Sequence, residues 1–230
     1  MTEMLYTVAT IIIPMVLAIV FHEVAHGWTA RALGDPTAAE QKRLSLNPLR
    51  HVDPFGTIIL PGMLALVKAP VFGWAKPVPV NFSRLRNPRT GMMLVAAAGP
   101  GTNLVLALIG SVVLGLILRP YGPQGELGAV MGFIVANLTN FLLINVFLAL
   151  FNLLPIPPFD GSHIVQGLLP ERLGAYYGRF QAAGLLVVLL LIVVLPYLVP
   201  SLDIIGRVVL PPVQWLTRHY FALAGAVAGF

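Results

Sequence analysis

The chain has 230 residues, of which 57% are hydrophobic and 10% charged, and it contains no cysteine. Composition so apolar excludes an ordinary soluble domain, and the missing cysteines exclude disulfides, thiol catalysis and thiolate metal sites. The net charge of +5 does not indicate nucleic acid, because basic residues beside apolar spans more commonly set membrane topology.

The first apolar run covers residues 4–30 and is long enough to cross a bilayer. Only Glu3 precedes it, with no basic n-region, and the run is too long for a signal-peptide core, so it is expected to stay in the mature protein. Further spans are expected at 91–118, 129–154 and 181–199. These elements make an all-α polytopic membrane protein, a helical bundle forming one domain over residues 1–230.

The long connection after the first span carries nine of the fourteen Lys and Arg residues, from Arg31 to Arg89. That bias predicts that it is cytoplasmic and that the first helix runs inward. Eight prolines, Pro36 to Pro88, argue for extended segments and turns. Within it, residues 55–72 are apolar but broken by Gly56, Pro61 and Gly62, which predicts a re-entrant hairpin or a short membrane-lying β segment. The tail 204–230 mixes Arg207, Pro211, Pro212, Arg218 and His219 with apolar residues and reads either as an interfacial helix or as a last span.

The first span ends in Phe21-His22-Glu23-Val24-Ala25-His26, an H-E-x-x-H pattern. On a helix, i and i+4 share a face, so His22 and His26 can bind one metal ion while Glu23 serves as general base. Ionisable side chains within a bilayer are costly and usually mark a functional site. Catalytic zinc commonly takes three protein ligands, and Asp160 is the best third. It follows Pro155, Pro157 and Pro158, which must unwind the chain at the end of the 129–154 span. The other reading of Asp160 is a surface Asp-Gly turn.

Crossing counts place the His-bearing and Asp-bearing ends on one side only if residues 55–72 enter and return, or do not cross. Asn103 lies in an apolar helix after Gly99-Pro100-Gly101 and could bind substrate or the oxyanion, or make an interhelical hydrogen bond. His51 reads as a transition-state group, a substitute ligand or a plain turn residue, and His163, three residues after Asp160, has a similar status.

These motifs, Phe21 to Gly27, Ala98 to Asn103 and Asn152 to Gly161, resemble in order those of the site-2 protease family of intramembrane metalloproteases. Gly73 to Asn81 is similar to that family's loop after the zinc-binding helix. The resemblance implies a Zn2+ cofactor and peptide-bond hydrolysis within or beside transmembrane segments of membrane proteins. It also implies a bundle of six helices or fewer; the expected departure from the family is a compact form without PDZ or CBS domains. The expected partners are transmembrane protein substrates and the lipid bilayer, without nucleic acid, and the oligomeric state is open. The expected location is the cell membrane of a prokaryote, with the active site toward the cytoplasm. The segment around residues 55–81 is a candidate edge for pairing with an extended substrate. Competing readings are a divalent metal-ion transporter, which predicts ionisable residues strung across the bilayer, and a binder of membrane helices that does not cut them.

Overall fold

The structure is a computed structural model that describes residues 2–59, 62–63, 66, 74–188, 190, 194–195, 199 and 205–230. Among these residues it is helical, with no strand. Three helices are long and apolar enough to cross a membrane: α1 (Thr2–Ala32), α3 (Pro88–Leu118) and α4 (Ala129–Asn152). Between the first two lies the short α2 (Thr37–Glu40). After α4 come α5 (Asp160–Leu168), α6 (Glu171–Gly178), α7 (Gly184–Val188) and α8 (Leu210–Ala228). The protein is an integral membrane protein. The span expected at 181–199 falls partly outside the described residues; among those described, Gly184–Val188 forms α7. The undecided tail is the helix α8, which falls outside the set of candidate spans.

The chain divides into two compact units, and α1 and α3 each pass from one to the other. The first unit contains residues 1–18, 100–153 and 204–230. Its inward faces are small or aliphatic: Ala18, Ala107, Leu142, Val146, Ala149, Val213 and Ala224 are buried. The opposite face of α1 leaves Met4, Leu5, Val8, Ile11, Ile12 and Ile13 exposed. In water such a face would associate, whereas in a bilayer it meets lipid.

Helices in hydrocarbon must satisfy their own backbone, and Pro14 breaks this rule locally because it has no N–H for the Thr10 carbonyl. Asn140 on α4 supplies the missing donor, its Nδ2 lying 2.8 Å from Thr10 O. Deeper in the same unit, Asn103 Nδ2 donates to Ala18 O at 3.2 Å and to Asn145 Oδ1 at 2.7 Å. Where α8 packs on α3, Ser111 Oγ donates to Tyr220 O, and a Cβ on Gly115 would strike Val227.

The second unit contains residues 19–99 and 154–203. Gly34, with φ of +112°, turns the chain sharply after α1, a conformation that disfavours any side chain. Asp35 then acts as a clamp. Its Oδ1 accepts from Thr37 N at 3.0 Å and from the Thr37 hydroxyl, and its Oδ2 accepts from Asn81 N at 2.6 Å. A small core of Ala30, Leu85 and Val95, extended by Leu33, Val80 and Phe82, holds α1 and α3 around this turn. At the start of α3, Asn87 Oδ1 takes the N–H of Thr90. Arg89 reaches across to Gly167 O at 2.7 Å and to Leu169 O, satisfying carbonyls at the end of α5.

Of the 55–72 segment, the described residues 55–59 lie in a helical turn, Pro54–Ile59, capped by Asp53. The sequence expectation of a short β segment finds no strand there, and residues 60–61, 64–65 and 67–73 lie outside the described set. The ends of the segment are joined: Trp74 N donates to Gly56 O at 3.1 Å and Thr57 Oγ1 donates to Trp74 O at 2.9 Å. A single crossing would hold its ends about 30 Å apart, whereas Gly56 and Thr57 are in hydrogen-bond contact with Trp74.

Candidate metal centre

One turn of α1 presents His22 and His26 together, with ring centroids 4.6 Å apart and the rings nearly perpendicular. Both are buried. The third member comes from the other end of the second unit's sequence. Asn152 ends α4, the proline-rich 155–158 stretch turns the chain, and Asp160 opens α5. Its Oδ2 lies 3.1 Å from His22 Nε2 and 3.4 Å from His26 Nε2. These are the described residues that could hold a metal ion, their ligand atoms all within 4.8 Å of one another.

Two observations test whether this set fits zinc. Tetrahedral zinc with bonds of about 2.0–2.2 Å sets its ligand atoms about 3.3–3.5 Å apart, which the separations from Asp160 match closely. Second, Asp160 Oδ2 is buried yet makes no hydrogen bond of good geometry, as expected of an oxygen whose lone pairs point at a common centre.

The tautomer of His26 is fixed by its neighbour. Its Nδ1 lies 2.7 Å from Val95 O. A carbonyl can only accept, so Nδ1 carries the proton and Nε2 offers its lone pair. Space at the centre depends on Gly99 of α3, where a Cβ would sit 2.5 Å from His26 Nε2 and 2.6 Å from His22 Nε2.

Glu23 sits on the same helix, and its Oε2 accepts the N–H of Val78 at 2.7 Å. Pro77 and Pro79 flank Val78, so this is the one N–H across residues 77–79, and it is spent on the carboxylate. Trp74, Lys76 and Asn81 also donate inward, to Gly56 O, His51 O and Asp35 Oδ2. Four of the six non-proline N–H groups of residues 74–81 are thus engaged, which leaves little of the free edge that substrate pairing would need.

The structure brings together His22, His26 and Asp160 and directs Glu23 to the 74–81 segment. His51 is buried but stands outside the metal-capable group, its Nε2 2.7 Å from Ser45 O. Asn103 belongs to the first unit, where its amide nitrogen joins Ala18 and Asn145. Sequence reasoning missed the part played by Gly99 and by the Val78 N–H. Small residues at 98–101 and the Pro-Val-Pro pattern at 77–79 were the available signals, but neither names its spatial partner.

The profile of peptidase family M50 matches residues 126–195. YwhC of Bacillus subtilis (strain 168), named as a zinc metalloprotease, is 39% identical over 183 residues, 80% of this chain and 80% of its own length. Rip2 of Mycobacterium tuberculosis (strain H37Rv), also named as a zinc metalloprotease, is 33% identical over 221 residues, 92% of this chain and 76% of its own. Rip2 of Mycolicibacterium smegmatis is 32% identical over 182 residues, 76% of this chain and 64% of its own. No solved structure matches the chain. By this degree of relatedness the chain belongs to peptidase family M50, the site-2 protease family of zinc metalloproteases.

Proposed function

We propose that the chain is an intramembrane endopeptidase that cuts peptide bonds within or beside the transmembrane segments of other membrane proteins. The observation that carries this reading is the convergence of His22 Nε2, His26 Nε2 and Asp160 Oδ2 next to a helix-borne Glu23. His22, His26 and Asp160 would hold zinc, which when bound supplies Lewis-acid activation of water for attack on a carbonyl.

The protein's own residues handle the proton. Val78 N–H fixes Glu23 Oε2 and leaves Oε1 to accept a proton from the attacking water. Glu23 then returns that proton to the departing amine, so the carboxylate is regenerated in each turnover. A scissile bond within a helix is shielded by its own hydrogen bonds, so substrates must unwind locally, and helix-breaking residues near the cut site favour cleavage. The charge bias of residues 31–89 supports a cytoplasm-facing site in the cell membrane.

The test is cleavage of a single-span substrate protein by the purified full chain in detergent. Wild type is expected to cut, a chelator to abolish cutting, and Glu23→Gln to lose at least about 10²-fold in kcat while keeping its zinc. Unimpaired cleavage by Glu23→Gln, or by the metal-free protein, would overturn the proposal.

A further inference from the structure

The reaction as derived uses His22, His26 and Asp160 for the metal and Glu23 for the proton, but it assigns no neutral donor to the carbonyl oxygen that gains charge. Asn103 was a sequence candidate, and its amide nitrogen donates to Ala18 O and Asn145 Oδ1. His163 is a better one. It follows Asp160 by three residues on α5, so the two side chains lie on one face of the helix. It stands outside the ligand set and packs against the Phe82 ring, centroids 5.6 Å apart. Burial pushes its imidazolium down, partly offset by the Asp160 carboxylate and reinforced by His26, so the neutral ring is favoured.

The neighbouring hydrogen bonds decide which ring nitrogen carries the proton. Ser162 Oγ donates its one proton to Phe159 O, 2.7 Å away. Toward Gln181, whose side-chain nitrogen is 3.3 Å distant, the hydroxyl can therefore only accept, which assigns that end of the Gln181 amide as the NH2. The same nitrogen lies 3.4 Å from Gln166 Oε1 and 3.4 Å from His163 Nδ1. The two protons of this NH2 are shared among three acceptors, but a protonated Nδ1 would set donor against donor, which favours a lone pair there and the proton of the neutral ring on Nε2. The chain Phe159–Ser162–Gln181 thus sets His163 as an Nε2–H donor on the helix face that carries Asp160.

We propose that His163 is a catalytic hydrogen-bond donor, its Nε2–H engaging the scissile carbonyl oxygen and strengthening as that oxygen becomes negative. The proton stays on His163 throughout, and no bond to it is made or broken. This assignment rests on the protease reading above. Preorganised donors of this kind contribute far more to the transition state than to ground-state binding, and losing one lowers kcat by about 10²–10³-fold.

The experiment uses the full chain in detergent with the same single-span substrate and follows kcat, KM, zinc content and the 15N shifts of labelled histidine. His163→Ala is expected to lower kcat about 10²-fold with KM and zinc content held, and His163→Gln, which keeps an N–H donor, to regain part of that loss. Gln181→Glu leaves the ring in place but replaces the donor facing Nδ1 with an acceptor. It is expected to shift the tautomer toward Nδ1–H in the 15N spectrum and to lose kcat with His163→Ala. Wild-type 15N shifts reporting Nδ1–H, or Gln181→Glu moving the tautomer without moving kcat, would overturn the proposal. So would His163→Ala retaining full kcat, or losing zinc in parallel with activity. Failure of wild type to cut, or cutting by Glu23→Gln, would instead remove the protease reading and this assignment with it.

Discussion

The two units use polar residues in opposite ways. In the first, Asn140, Asn103, Asn145 and Ser111 each donate to a backbone carbonyl or another amide; Asn145 donates within α4, to Phe141 O, and the bonds donated by the other three join helices. In the second, Asp160 Oδ2 is buried without a hydrogen bond, 3.1 Å from His22 Nε2 and 3.4 Å from His26 Nε2. Both patterns place polar atoms in apolar surroundings, where an unmet group costs free energy. The first kind resolves that cost internally. The second leaves it for a bound cation to resolve.

The largest expected effect comes from breaking the second pattern at its centre. Asp160→Ala should abolish stoichiometric zinc binding and cleavage together, measured by metal analysis of the purified protein and by substrate turnover. Retention of zinc at wild-type affinity would mean that Asp160 is not a ligand.

Gly99→Ala and Gly101→Ala form a sharper pair, because both add one methyl to the same stretch of α3. The first places carbon against both imidazoles, while the second meets nothing within 4 Å. Zinc affinity should fall at least ~10-fold in Gly99→Ala and stay unchanged in Gly101→Ala, as read by competition with a chelator.

In the first unit the expected loss is in stability alone. Asn103→Leu should destabilise the folded protein by about 1 kcal/mol, with zinc content and KM unchanged. A rise in KM without loss of stability would return Asn103 to the substrate-binding role that its sequence context suggests.

Asp35 offers a pH test in the second unit. Burial would raise its pKa, but hydrogen bonds from Thr37 and Asn81, with the charge of Arg84, bring it below the usual carboxylate value. Its folded-state pKa being depressed, the contribution is fully present above the unfolded value and is lost as pH falls through the folded one. Thermal melts should therefore show Asp35→Asn less stable than wild type at neutral pH, with the gap closing below about pH 4. The smallest effect is expected from Glu40→Gln: the Arg84–Glu40 pair is half-exposed, and a single solvated ion pair should leave the melting temperature unmoved.

Much of this was legible in the linear chain. Hydropathy located α1, α3 and α4 to within a few residues, because a bilayer demands about 20 apolar residues per crossing whatever the partner helices are. The i, i+4 spacing placed His22 and His26 on one face for the same local reason. Asp160 was reachable because three nearby prolines must interrupt a helix. By contrast, nothing in the spacing of Glu23 and Val78, 55 residues apart, announces that one will accept the other's N–H.

What the sequence by itself determined is therefore what short-range physics controls: helix length, helix face and helix interruption. Tertiary structure decided which carbonyl sets the tautomer of His26, which glycine leaves room for the imidazoles, and that Thr57 and Trp74 meet. These outcomes depend on contacts between residues far apart in the chain, and a hydrogen bond or a close approach has no signature until both partners are in place.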